Sequence, residues 1–533
     1  MATGWSAFGI AEAGGMYGAD IVSFTTANPT QLVDGYILTD RMVRTDTNSQ
    51  DWTLVNAVVQ DGWIIVEASR ALDTKDAQDN VLRNDVELWS APTRVIAAWG
   101  DEEVMSYHGE KRASSSVRLF AEVTASSSNE ESKTTLSDIL NESSDGYFDV
   151  VHDGYEIPTD DTTYEYLCKT YDELKEQFGT SVDEELTMIG ATPIITEETR
   201  PFVHHFIVTA VPNCYNWWEG TNAFQREQIY GWAPGDMGMA LPDEVGFPLF
   251  DTESNQAIVV EIHYNNPKGV SGLLDSSGVR FYYTSTPRLH KAAILQLGDP
   301  MLGLYGTEIN DGLTKHEFTC PGACSSLFLD EPITVISEKL HMHQTGTRMV
   351  NEVIRDGEVF HKSSVEVFDF EQQGGFQVQQ DSFQLQAGDS FRTTCYYEDG
   401  TVFKEGSEDE MCIGFLLYYP AKKFAGFPFV CPYPGQFPCA EEYVSTDLDD
   451  YEGLGREFGV PSMIAVSDEV MEEVPPPVTV PIDPAPPAQA PAGSGDTDEE
   501  ETSEVSTSKA PSTSVHHLVA ILISSAAMLS TIV

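Results

Sequence analysis

Basic residues are scarce in this chain. Its 533 residues include 29 lysines and arginines against 85 acidic residues, for a formal net charge of -56. Such a surface repels the phosphates of nucleic acid and anionic lipid, which argues against a nucleic-acid partner. A leader peptide is also missing. Met1 to Ser6 has no basic segment and no apolar run of sufficient length follows, so the chain reads as starting in mid-domain, with a secretion signal expected upstream. Sustained helical periodicity is absent, and the only terminal apolar run, Leu518 to Val533, is 16 residues long. That is short for a membrane-spanning helix. With a Ser/Thr spacer and small residues near Ser506 to Ser508, it reads as a lipid-anchor signal, a single C-terminal helix being the alternative. No tight four-cysteine zinc arrangement occurs. The eight cysteines, Cys168, Cys214, Cys320, Cys324, Cys395, Cys412, Cys431 and Cys439, are confined to the middle of the chain. They read as a disulfide framework from an oxidising compartment, hence the secretory pathway, with a pairing that spacing alone leaves open. Cys320-Pro-Gly-Ala-Cys324 as a metal or redox motif is the lesser alternative.

What is present is a succession of short alternating strands. Residues 1–122 carry the pattern of an all-β sandwich. Residues 123–147 turn to Ser and Glu, a linker composition that includes the glycosylation sequon Asn141-Glu-Ser143. Two further β-rich domains are expected over 148–300 and 301–470. Residues 471–517 form a Pro-rich acidic stalk that cannot bury a core, and 518–533 the apolar tail. The expected fold class is mainly β, built from several sandwiches.

Chemistry gathers in the histidines. The chain has 12, and five fall in three short segments: His204-His205, His263 in Glu-Ile-His-Tyr-Asn-Asn-Pro, and His341-Met-His343. Met411 follows in Glu-Met-Cys. Imidazole suits copper, zinc and iron, whereas a thioether is soft and favours Cu(I). Three histidines in one set and two plus a methionine in another point to two copper centres of different character. His341 and His343 share one face of an extended chain. His204 and His205 would face opposite ways, so joint ligation requires a strand end or a bulge. A lone histidine is more often a hydrogen-bonded core residue, and the clustering is what reverses that reading.

These motifs resemble the copper type II, ascorbate-dependent monooxygenases over about residues 155–440. The resemblance implies His204, His205 and His263 on an electron-transfer copper, and His341, His343 and Met411 on the copper that hydroxylates substrate, two coppers per chain. It implies O₂ and ascorbate as co-substrates and two jelly-roll-like sandwiches facing one another across a solvent-filled cleft. It also implies the disulfides Cys395–Cys412, Cys320–Cys431 and Cys324–Cys439. Cys168 and Cys214 match family cysteines whose usual partners are missing here, and are expected to pair with each other. Gly14 to Val22, Asp51-Trp52 and Ser106 to Gly109 resemble a DOMON domain over 1–122. Asp20 and Asp51 match acidic ligands of a metal ion such as calcium there, and Met16 and His108 the ligands of a haem.

The expected reaction is hydroxylation of an activated C–H bond in a small molecule. In the peptide-amidating branch of the family an Arg precedes the His-x-His pair by two residues, where this chain has Lys339, and Asn and Tyr stand where it has Ile413 and Phe415. A peptide clamp is therefore not expected, and a phenylethylamine-like or related substrate is. A membrane contact is expected through the tail only. The alternatives are a haem-binding electron-transfer protein with an inactive copper core, and a surface copper-binding protein without turnover.

Overall fold

The computed structural model describes residues 4–448, apart from 12–14, 39–41, 61–62, 83–92, 118–135, 179–185, 216–226, 251–254, 300–305, 366–367, 371–381, 423–441 and a few single positions. It also describes 517–524. Nearly all of its regular structure is strand, and the described strands pair antiparallel apart from the short parallel pair Val245–Gly246 with His290–Lys291. This follows from the sequence: β-branched and aromatic residues at every second position suit a pleated, half-buried surface.

The N-terminal sandwich opposes a six-stranded sheet, running from Val43–Thr45 through Asn28–Ile37, Asp20–Thr25, Trp5–Ile10 and Thr93–Gly100 to Arg112–Val117, to a three-stranded one. Phe8, Val22, Phe24, Trp52 and Val66 pack between them. The third strand of the smaller sheet is His517–Ser524, which pairs antiparallel with Ile64 to Ala71. The apolar end, expected to act as an anchor, thus contributes a strand. Among the described residues no helix is long and apolar enough to cross a membrane.

The expected linker is only partly one. Residues 118–135 lie outside the described residues, but Leu136–Ser143 is a helix, and Leu140 packs with Ile189, Ala240 and Tyr282 of the next sandwich. Asn141 of the sequon is on its exposed side. Two apolar residues four apart form one helical face, and burying it outweighs the polar composition.

The second sandwich pairs Thr162–Thr170, Ala257–Asn265, Val203–Val211 and Glu227–Trp232 in that order, against a sheet centred on Leu186–Ile194 and Gly278–Thr284. Phe148, Met188, Phe206, Val260 and Phe281 fill the space between. The third pairs Ala293–Gly298, Ile413–Tyr419, Ile333–His341 and Phe383–Leu385, against a five-stranded sheet that includes Gly346–Arg355 and Ser390–Tyr397. Because Ala293–Gly298 pairs with Ile413–Tyr419, the division between these sandwiches falls before 293 and not at 300. The stalk at 471–516 lies outside the described residues.

Candidate metal centres

The first histidine set is made by two adjacent strands. Val203–Val211 pairs with Ala257–Asn265 in a register that slips between Val203 and His205, so that His205 stands opposite His263. This slip is the bulge that two successive histidines need in order to turn to one side. His204 Nδ1 is 3.0 Å from His205 Nδ1, which is 3.4 Å from His263 Nδ1. Nitrogens sharing one metal at about 2.0–2.1 Å in tetrahedral geometry lie roughly 3.3 Å apart, so the three fit a single ion. Tyr164 stacks on His263, with ring centroids 4.5 Å apart.

Burial keeps these imidazoles neutral. His204 and His205 are pushed well below the usual histidine pKa, first by burial and then by the charge of His263 and other histidines nearby. His263 falls to about 3 for the same first reason. A neutral imidazole is the form that binds a metal, so no proton has to be removed first.

The second set sits where strand Ile333–His341 ends. His341 is its last residue, His343 follows in the turn, and Met411 lies two residues before the point where Ile413 pairs with His341. The rings of His341 and His343 are 5.0 Å apart. His343 Nδ1 donates to the Asp409 carbonyl at 3.0 Å, which leaves Nε2 with its lone pair, buried and with no hydrogen-bond partner. An imidazole fixed in this way through its other nitrogen is ready to ligate. Burial lowers His343 to about 4.

Glu410 ties this set together. Its fully buried carboxylate accepts from the backbone N–H of His343 (2.8 Å) and Met411 (3.3 Å) through one oxygen, and from the N–H and hydroxyl of Thr345 (2.6 and 3.0 Å) through the other. Burial pushes its pKa up to about 7 against the pull of these donors. The Cys395–Cys412 disulfide and the Tyr397 hydroxyl, which donates to the Met411 carbonyl at 2.8 Å, hold the methionine segment from the other side. Glu410 was missed in the sequence because an acid beside an expected ligand reads as one of 85.

The two sets are not separated by an open, solvent-filled cleft. The ring centroids of His205 and His341 are 6.0 Å apart, and Phe370 stacks on His204 at 4.3 Å while lying 5.9 Å from His343. The cause is an apolar seam, since Ile336 and Leu417 of the third sandwich join the core of the second. Phe415 stands 6.4 Å from His341. A side chain at Gly414 would meet the Asn351 amide at 2.1 Å, so any larger residue there would have to displace that side chain.

Disulfides join Cys168 to Cys214 and Cys395 to Cys412. Cys320 and Cys324 are also disulfide-bonded, and Cys431 and Cys439 lie outside the described residues.

In the N-terminal sandwich the carboxylates that converge are those of Asp20, Asp34 and Asp79, with oxygens within 4.8 Å of one another. Asp51 is not among them: its backbone N–H donates to Asp34 at 2.7 Å, and its carboxylate accepts from Ser49 at 2.6 Å. Asp34 and Asp79 went unnoticed because nothing in their spacing marks them. Arg70, fully buried, is ion-paired with Asp20 and lies 3.8 Å from Asp79, so the chain supplies its own cation to the group. Oxygen ligands suit calcium, but an ion would have to displace this guanidinium. Met16 packs with Trp5, Ile21 and Met105, whereas His108 sits at a turn with its ring stacked on Tyr107. The surroundings of these two residues give the haem reading no support.

The fold and site thus define a mainly-β protein of several sandwiches, two of which bring two histidine sets together. Residues 148–271 and 290–431 match the N-terminal and C-terminal domains of the copper type II ascorbate-dependent monooxygenases, and residues 1–91 match a DOMON domain. The chain belongs to that monooxygenase family. It is 28% identical over 449 residues to DBH-like monooxygenase protein 1 of Gallus gallus, spanning 78% of this chain and 68% of that one. It is 27% identical over 288 residues to tyramine beta-hydroxylase of Caenorhabditis briggsae (50% of this chain, 47% of that one). With dopamine beta-hydroxylase of Bos taurus it shares 30% over 252 residues, 43% and 40% of the respective chains.

Proposed function

We propose that this chain is a two-copper, ascorbate-dependent monooxygenase that hydroxylates an activated C–H bond of a small molecule. The observation that carries this is the apposition of two histidine sets, the rings of His205 and His341 lying 6.0 Å apart, with the buried Nε2 of His343 unpartnered. His204, His205 and His263 would hold one copper, and His341, His343 and Met411 the other. Bound there, copper supplies the one-electron chemistry by which one atom of O₂ enters the C–H bond and the other leaves as water, with two electrons from ascorbate. The chain's own residues provide the rest. Glu410 holds the His-x-His turn against the methionine, Asp409 fixes the His343 tautomer, and Phe370 keeps bulk water from between the sets.

The substrate is read as phenylethylamine-like or related. Ile413 and Phe415 offer no side-chain hydrogen bond, so an apolar ring is favoured over a peptide backbone. The Cys168–Cys214 and Cys395–Cys412 bridges support a secretory location.

The test uses Met411→His. A nitrogen in place of the soft sulfur should leave copper bound but abolish most ascorbate-dependent O₂ uptake on a panel of small amines. Wild-type turnover in that variant, or a single copper per wild-type chain on metal analysis, refutes the reading.

A further inference from the structure

The two histidine sets ride on different sandwiches, so their separation is a property of the interface between them. Its polar contacts run along the strand Glu227–Trp232 and the loop after it. Gln296 of the third sandwich donates to Gln228 at 3.0 Å. The contact nearest the metal ligands is made by Lys339, two residues before His341 and hence on the same face of its strand. Its ammonium crosses to the second sandwich, where it donates to the Gly231 carbonyl at 2.8 Å and to Asp236 Oδ2 at 2.5 Å, 5.7 Å from the Tyr230 ring centroid.

Asp236 is a rigid anchor. Its side chain is 4% exposed, its other oxygen accepts from Gly238 N–H at 3.0 Å, and its carbonyl accepts from Trp232 Nε1 at 2.9 Å. The N-terminal sandwich reaches the same place, since the buried Arg94 guanidinium feels the Asp236 charge. A partly buried pair is screened less than a surface one. It adds little net stability, but its geometry fixes register, and removing one partner strands the other charge.

We propose that the Lys339–Asp236 pair is the latch that holds the two histidine sets in ring contact, and that Lys339 is a positioning residue and not a binding group for an anionic substrate. Two of the three ammonium donors are already taken by the opposite sandwich, so a substrate carboxylate would have to displace Asp236. The functional half of this inference rests on the copper reading, but the geometric half does not.

The experiment therefore starts with the metal-free full chain. Nitroxides at Leu274→Cys and Val359→Cys, both exposed and on separate sandwiches, report the distance between them by pulsed electron resonance. The native described cysteines are disulfide-bonded and leave the labels specific. Lys339→Gln and Asp236→Asn should each lengthen and broaden the distance distribution, and Lys339→Asp combined with Asp236→Lys should restore it. Lys339→Arg, which keeps the charge, should resemble wild type. With copper and ascorbate, the two neutralised variants should lose kcat on the order of 10²-fold with little change in KM, the scale of a misplacement of about 1 Å. Unchanged distances in both single variants overturn the proposal, as does a loss confined to KM for anionic substrates. A chain that takes up no copper refutes the function proposed above, while the distances still decide the latch.

Discussion

Replacing Glu410 tests how the second metal set is built. Its carboxylate accepts four hydrogen bonds, two at each oxygen, from His343, Met411 and Thr345. Glutamine has the same shape but only one acceptor oxygen, so its NH₂ must face one pair of donors, and the pair at Thr345 tolerates it better because the hydroxyl can turn to accept. The Thr345 N–H is then left without an acceptor, at about 1–3 kcal/mol. Glu410→Ala strands all four and leaves a cavity, and should cost more. Because His343 and Met411 are both held through the same oxygen, the Ala variant should also loosen the geometry of the second set while sparing the first. Loss of an outer partner of a ligand typically costs about 10–100-fold in metal affinity. Copper titration should then resolve one site at wild-type affinity and one weakened, and thermal unfolding of the metal-free chain should be lowered. A Gln variant that unfolds like wild type, or an Ala variant that binds both coppers equally well, would refute the role given to Glu410.

Two other outcomes can be checked directly. Burial and the neighbouring acids Asp79, Asp51 and Asp46 raise Asp34 to about 7. Its folded form therefore keeps a proton that the unfolded chain has lost, and the N-terminal sandwich should lose stability as pH rises from about 4 to 7. Asp34→Asn should flatten that slope in hydrogen exchange of Asp20–Thr25 and Asn28–Ile37, corrected for intrinsic rates, and an unaltered slope counts against it. The Cys168–Cys214 bridge closes a loop with a sequence separation of 46. Replacing both by serine should cost about 4 kcal/mol on the chain-entropy estimate, read as a lowered unfolding midpoint, and an unchanged midpoint would mean the loop is constrained by other means.

The fold was legible where strands are short apolar runs. Val203–Val211 and Ala257–Asn265, rich in β-branched residues and buried along nearly their whole length, are such runs and need no partner to be seen. The helix Leu136–Ser143 was not, because a single pair of leucines among Ser, Asp and Glu carries too little pattern, and only the surface of Tyr282 and Ile189 makes it worth burying. The terminal run Leu518 to Val533 is ambiguous in another way. Apolar composition alone fits a lipid anchor, a membrane helix or a strand, and the pairing of His517–Ser524 involves an edge more than 440 residues away.

The site divides along the same line. Histidines are rare, so a cluster of them is a signal, and the need for a bulge at His204 followed from the period of two alone. What joins the two sets has no such signature. Asp236 and Lys339 are 103 residues apart, and each is an ordinary charged residue until the sandwiches meet. Phe370 likewise reads as a core aromatic until it is found between His204 and His343. Residues able to ligate a metal are chemically special, so a sequence displays them as candidates. The spacing of the two histidine sets is set by ordinary packing, in which we place the Lys339–Asp236 pair, and any sequence contains many such combinations unused. The residues that hold the sets together are therefore the ones whose substitution should alter coupling between the sets while leaving each ligand set intact.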